Sequence, residues 1–357
     1  MLDPTKVLFL GIGKSSVLWY RCALPAIHLG ADWCGIRGTP PNVQVLTGLV
    51  KGDTVLPRYE DYEVVVIQEP YGRHWLKQIH SLQERGIKVL YEVDDYLHGV
   101  AKQQSHDFAK SFGKDQLRQI EMCMRACDGM IVSTDYIARR YARHNKRIYV
   151  CRNGIDLSRY ALTRPKRSTV NIGWAGATGH TNAVIPWINA ILPVMRERPD
   201  TCFIAIGSPG LAQPVNEILE SDNRAIGIPF APLECYPAAM CMMDIALAPS
   251  TDTTWYRGKS DLRWLEAAAL GIPIIADPVV YPEIEHGVTG FHAKNDAEVE
   301  LLVRMLVEDD ELRRKVGEQA REYVTENRTS EIAAMQWSEV LSAVAGEYES
   351  MHQLQRS

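Results

Sequence analysis

Apolar residues in this chain fall into short, nearly unbroken runs, separated by stretches where they recur every three or four positions. The runs at 6–10, 43–46, 63–68, 87–93, 129–133 and 147–151 predict strands. Between them, segments near 15–30, 73–85, 113–128 and 134–144 have the helical period. The same alternation restarts at 170–174, 201–207, 225–228, 244–248 and 271–276, with helical stretches near 181–198, 211–221, 232–242 and 259–270. Apolar strands alternating with amphipathic helices predict parallel sheets covered on both faces, so the expected fold class is α/β, two Rossmann-like doubly wound domains facing a central cleft.

The polar, basic stretch 156–169, broken by Pro165, marks the division. We therefore expect an N-terminal domain over 1–160, a C-terminal domain over 161–330 and a last helix over 331–357 packing back across both. In that helix Ala333, Trp337, Val340 and Val344 recur at steps of four, three and four, which requires one buried face. The 357 residues are about twice the common single-domain length, in keeping with two domains. No repeat of 20–50 residues is visible.

Composition removes several classes. With 25 glycines, 19 prolines, 46% hydrophobic and 23% charged residues, the chain is neither collagen-like nor disordered. A net charge of −5 gives no overall field for polyanions, so duplex DNA could be met only through a local patch such as the basic run 139–147. Apolar runs stop well short of the ~20 residues of a membrane span. The first residues show no secretory signal pattern, and the expected location is cytoplasmic. Eight cysteines are scattered without a C-x-x-C pair, which fits buried thiols in a reducing compartment. Cys123 and Cys127 lie one helical turn apart but lack companion ligands, so no metal is assigned.

In an open α/β sheet, ligands bind beyond the carboxyl ends of the strands, and two such domains converge on one cleft. Four segments fall there. Gly11-Ile12-Gly13-Lys14-Ser15-Ser16 leads from a strand into a helix and offers backbone N–H groups to an anion, although neither a dinucleotide fingerprint nor a P-loop is complete. Trp19-Tyr20-Arg21 follows, and Arg21 is expected to point toward phosphate or carboxylate. Tyr91-Glu92-Val93-Asp94-Asp95-Tyr96 brings three carboxylates together; they repel one another unless they meet a cation, water or sugar hydroxyls, and Asp94 and Asp95 are taken as catalytic candidates. Gly173-Trp174-Ala175-Gly176-Ala177-Thr178-Gly179-His180 repeats the glycine loop in the second half, with His180 beside the helix start. Asn153-Gly154 is read as a chain-reversing turn.

The stretch 244–276 is the most informative. A strand ends at Pro249, a polar loop follows, and a helix carries Arg257, Lys259 and Glu266 before Gly271. Here the residues resemble a known family. Asn153-Gly154-Ile155-Asp156, Glu266-Ala267-Ala268-Ala269-Leu270-Gly271-Ile272-Pro273 and Tyr281-Pro282-Glu283-Ile284-Glu285-His286-Gly287-Val288-Thr289-Gly290-Phe291 are similar, in order, to the N-G-[IV]-D, E-A-x-A-x-G-x-P and E-x-[IV]-x-x-G-x-x-G-[FL] blocks of GT-B glycosyltransferases, particularly the retaining family 4 (glycosyl transferases group 1). The amino-terminal half matches only in outline, while the compact length of the chain and the Trp19-Tyr20-Arg21 region resemble bacteriophage-encoded members.

The resemblance implies transfer of a hexose or pentose from a nucleotide-diphosphate sugar, such as a UDP- or GDP-sugar, with retention of anomeric configuration and with no metal or resident cofactor. The acceptor, held by the first domain, would be a glycan, a protein or a modified DNA base. Glu266 would accept hydrogen bonds from the ribose diol, which suits a carboxylate. Gly11, Gly13, Gly176, His180, Ser260 and Arg21 complete the expected donor site, and Arg257 and Lys259 join Asp94 and Asp95 as catalytic candidates. Two departures bear on this. Gly258 stands where the family's E-x7-E pattern has its first glutamate, and no Arg or Lys follows Gly176 to hold a diphosphate. Gly258 keeps an inactive nucleotide-sugar-binding protein as an alternative, and a nucleotide-sugar epimerase of the same two-domain fold is another.

Overall fold

The computed structural model describes residues 2–13, 15–40, 42–49, 58–102 and 112–356, and the Lys14 of the first glycine loop lies outside them. The first domain holds a seven-stranded sheet in the order β3-β2-β1-β4-β5-β6-β7. Its strands are β1 Val7–Ile12, β2 Asp32–Arg37, β3 Gln44–Leu49, β4 Val64–Gln68, β5 Lys88–Val93, β6 Gly129–Val132 and β7 Ile148–Val150. All pairings are parallel except β2 with β3. The pattern had not announced β2, whose Gly35 and flanking Asp32 and Arg37 interrupt the apolar run.

Alternate residues of these strands serve two cores. Leu8, Leu10, Ile67 and Tyr91 pack under α2 (Arg73–Glu84), α3 (Lys114–Ala126) and α4 (Asp135–Tyr141). Val7, Phe9, Val64 and Leu90 pack on the opposite side, beneath α1 (16–29) and the last helix of the chain. Within α1, Trp19–Ala23 forms a π turn in which the Leu24 N–H bonds to the Trp19 carbonyl. Pro25 has no N–H to close the next α-turn, and the wider turn absorbs that defect.

The second domain carries β8 Val170–Ala175, β9 Thr201–Ile206, β10 Ala225–Ile228, β11 Ile245–Ala248, β12 Ile274–Ala276 and β13 Phe291–His292, all parallel, in the order β10-β9-β8-β11-β12-β13. Helices α5 (Thr181–Glu197), α6 (Ala212–Ile218), α7 (Tyr236–Met240), α8 (Leu262–Ala269), α9 (Asp296–Glu308) and α10 (Asp310–Asn327) accompany it. The final helix α11, Ser330–Arg356, returns to the first domain, where Trp337 is fully buried with its ring edge-on to Phe9 at 5.5 Å.

The chain crosses between the domains twice, and the two crossings are bonded together. The Ile155 N–H donates to the Arg328 carbonyl, and the Ser330 N–H donates to the Ile155 carbonyl, both at 2.9 Å. Asn153-Gly154 is therefore no reversing turn. Gly154 is glycine because a Cβ there would lie 2.3 Å from the Thr329 carbonyl oxygen.

Candidate active site between the domains

The carboxyl ends of both sheets enclose a cavity of about 760 Å³. The first domain contributes Trp19, Trp33, Asp94 and Asp95 to its wall; the second contributes Gly176, His180, Tyr236, Lys259, Arg263 and Glu266.

Glu266 sits on α8 and is 6% exposed. Its Oε1 accepts from the Tyr20 hydroxyl across the domain boundary at 3.1 Å, and its Oε2 accepts from the Tyr236 hydroxyl at 3.2 Å. Tyr160 hydrogen-bonds Tyr20 in turn at 3.1 Å. Burial outweighs these hydrogen bonds and the nearby charge of Arg263, pushing the Glu266 carboxyl up to about 7. Each carboxylate oxygen has two lone-pair sites, so acceptor capacity remains on both.

One turn earlier on the same helix stands Arg263, which the sequence reading did not single out. It lies against the Trp174 ring, with its guanidinium carbon 5.8 Å from the centroid, and makes no ion pair among the described residues. Gly176 makes this placement possible, since a Cβ there would lie 2.8 Å from the Arg263 Nη2 and 2.5 Å from the Trp174 ring. Gly176 thus opens the β8 loop to a guanidinium arriving from α8, a relation that only the tertiary structure supplies.

His180 precedes the first turn of α5, whose N–H groups receive no side-chain cap from it among the described residues. Its ring stacks on Trp255 at 4.7 Å, and Nδ1 lies 3.0 Å from the Tyr256 hydroxyl. Ser260 lines the cavity and accepts from Asn153 Nδ2 at 2.9 Å. Lys259 reaches across the cleft to Asp95 at 2.8 Å, with its ammonium 4.9 Å from the centre of the Trp255 ring.

Three expectations need correction. Arg21 is 1% exposed and points into the first domain: Nε donates to Glu92 at 2.7 Å, and Nη1 donates to the Cys151 carbonyl at 2.6 Å and to Asn153 Oδ1 at 2.9 Å. Arg257 is exposed, pairs with Asp252 at 2.8 Å, and borders an adjoining pocket of about 390 Å³ instead of the main cavity. Gly11 and Gly13 shape the turn without lining the cavity. A Cβ on Gly11 would collide with Leu18 at 2.1 Å, and Gly13 takes a φ of 70°. Gly258 also has a physical reason, because a Cβ there would come within 2.9 Å of the Tyr96 Cβ from the first domain.

Asp94 and Asp95 belong to a larger acidic group that includes Glu69, a residue at the end of β4 with a φ of 46°. A positive φ on a glutamate is uncommon and costs backbone energy. Burial, then Asp94 and Asp95, raise the Glu69 carboxyl well above its usual range. Burial, then Asp95 and Glu92, raise Asp94 from 3.8 to about 7. In the unfolded chain Asp94 ionises at its ordinary value, so this group's contribution to stability is complete below about 3.8 and is lost as pH rises to about 7. Asp94→Asn should therefore raise the melting temperature by several °C at pH 8, with the gain shrinking toward pH 4 in thermal scans, at about 2–4 °C per kcal/mol. A gain equal at both pH values would contradict the raised carboxyl.

Away from the cavity, His98, Glu121 and His144 converge with ligand atoms within 4.8 Å of one another. Arg125 and Arg143 approach the two ring nitrogens of His144 at 3.0 and 2.9 Å, and their charges oppose a divalent cation. The eight cysteines are all free, and Cys235 alone among them is exposed. No helix among the described residues is long and apolar enough to cross a membrane.

Residues 169–308 match the family model described as Glycosyl transferases group 1. No curated protein matches the chain in sequence. Among solved structures, sucrose-phosphate synthase from Thermosynechococcus elongatus is similar with a TM-score of 0.68 at 14% identity, over 96% of this chain and 99% of that one. Anabaena Alr3699/HepE in complex with UDP and glucose gives 0.64 at 13% identity, over 94% and 99%. A glycosyltransferase from Rickettsia africae ESF-5 gives 0.62 at 13%, over 95% and 98%. These likenesses establish the two-domain GT-B fold along the chain.

Proposed function

We propose that the protein is a glycosyltransferase that moves a sugar from a nucleotide-diphosphate donor, a UDP- or GDP-sugar, to an acceptor held against the first domain. The observation that carries this reading is the pairing of Glu266 and Arg263 one turn apart on α8, both in the wall of the cavity between the domains. A carboxylate suits a ribose diol and a guanidinium suits a diphosphate, and they stand side by side on one helix face, as those two parts adjoin in a sugar nucleotide. The match of the second domain to glycosyl transferases group 1, and the UDP and glucose carried by the structurally similar Anabaena protein, support the same donor class.

In this scheme domain closure excludes water, the bond from the anomeric carbon to the diphosphate breaks, and Arg263, His180 and the start of α5 stabilise the departing charge. Lys259 holds Asp95 at the junction of the domains. Retention of configuration is part of the proposal through the sequence resemblance, and no step uses a metal ion.

The test is a panel of nucleotide sugars followed by thermal shift and by chromatography of released nucleotide. One donor should raise the melting temperature and be slowly hydrolysed without acceptor, since a ligand bound to the native state stabilises it according to its occupancy. Binding without release would mark an inactive binding protein, and interconversion of sugars without release an epimerase. Neither binding nor release with any donor would remove the proposal.

A further inference from the structure

The first-domain wall of the cavity differs in character from the second. It is built from Ser15, Ser16, Leu18, Trp19, Ala23, Trp33 and Thr47, and its only ionisable side chains among the described residues are Asp94 and Asp95. The π turn of α1 spans Trp19–Ala23, so the one irregular turn of that helix lies where it meets the cavity. Such turns occur frequently at functional sites. Trp33 is 8% exposed, and neither its indole N–H nor that of Trp19 has a hydrogen-bond partner among the described residues. Unpaired buried donors are uncommon in folded proteins and stand as unfilled hydrogen-bonding capacity. An indole offers an apolar face and one polar handle, a combination suited to a ring that is apolar on one side and carries hydroxyls at its edge. An anionic acceptor would instead add charge beside Asp94, whose carboxyl is already raised by burial and by its acidic neighbours, while Lys259 is committed to Asp95.

We propose that this wall is the acceptor subsite and takes an uncharged sugar, packed against Trp19 and Trp33 with its reacting hydroxyl beside Asp94. The inference rests on the glycosyltransferase reading and names its acceptor class. The acceptor oxygen bonds to the anomeric carbon as the bond to the diphosphate breaks. The bonding electron pair leaves with the diphosphate, and the hydroxyl proton passes to that departing oxygen. Asp94 orients the hydroxyl by accepting its hydrogen bond. Duplex DNA or a phosphorylated acceptor would place further negative charge beside the acidic group of Glu69, Asp94 and Asp95.

The experiment uses the full chain with whichever donor the nucleotide-sugar panel identifies. Neutral octyl and nitrophenyl glycosides are compared with glucuronides, sugar phosphates and a duplex oligonucleotide. Transfer to a neutral glycoside is expected. Trp19→Ala should raise the acceptor KM at least tenfold, and Trp33→Phe, which preserves the packing of a core position, should raise it less. A donor-induced rise in melting temperature in each variant shows that it is folded. Transfer only to anionic acceptors, or an acceptor KM unmoved in both folded variants, overturns the inference while leaving the donor reading intact. Absence of donor binding in the unaltered protein overturns both.

Discussion

Replacing Glu266 with alanine should weaken binding of the nucleotide part of the donor by about a hundredfold or more, with turnover falling in step. Two hydrogen bonds from a ribose diol to a carboxylate are charge-assisted, each contributing about 1.5–3 kcal/mol, and tenfold in affinity corresponds to about 1.4 kcal/mol. The site also gives a sharper prediction in pH. Glu266 is buried and its carboxyl is pushed up to about 7, so near neutral pH it is divided between an acceptor-only carboxylate and a protonated acid. A diol that donates two hydrogen bonds selects the carboxylate. Affinity for the nucleoside diphosphate should therefore increase as pH rises from 6 to 8, by up to about tenfold per pH unit below the midpoint. Glu266→Gln keeps the size and one acceptor oxygen, and should flatten this dependence while reducing affinity. Calorimetric titrations at pH 6, 7 and 8 on both proteins decide the matter. A steep pH profile that survives in Glu266→Gln would assign the titration to another group and remove Glu266 from the diol site.

The two-domain architecture was legible because parallel strands buried on both faces leave apolar runs that no other element imitates, as in β4, whose five residues are all buried. The short β13 and the mixed β2 left no such run. Glu266 was legible for a different reason, namely the motif resemblance over 266–273. Arg263 stands three residues away in the same stretch, yet its position depends on Gly176 in the loop after β8, a relation that sequence order does not contain. Arg21 was misread because closeness to the glycine loop does not show which way the helix turns each side chain. A π turn inserts the equivalent of one residue, and one residue of an α-helix is about 100° of rotation. Side chains at 19 to 21 are thereby redirected: Trp19 lines the cavity, Tyr20 reaches Glu266, and Arg21 turns inward to Glu92. Glu69 carried no signal beyond being a carboxylate at a strand end. Its importance comes from convergence with Asp94 and Asp95, contributed by the neighbouring strand.

Arg263→Ala should cost about 100- to 1000-fold in turnover, the range found when one preorganised group that stabilises developing charge is removed. The other cations near the cleft are engaged elsewhere. Arg21 is committed inside the first domain, Arg257 lies outside the cavity with Asp252, and Lys259 spends its charge on Asp95. Arg263 is then the cavity-lining arginine without an ion pair among the described residues. The change also removes a cation–π contact with Trp174, worth about 0.5–1 kcal/mol at accessible sites, so the fold should survive it. Two comparisons separate a diphosphate ligand from a merely structural arginine. Affinity for the nucleoside diphosphate should fall sharply while affinity for the parent nucleoside changes little, because only the former carries the charge that Arg263 meets. Arg263→Lys should recover part of the loss, retaining the charge without the planar fork that binds two phosphate oxygens at once. If Lys259→Ala proved far more damaging to diphosphate binding than Arg263→Ala, the Lys259–Asp95 bridge would have to open during donor binding, and the positive charge at the leaving group would come from the loop before α8 instead of from the helix.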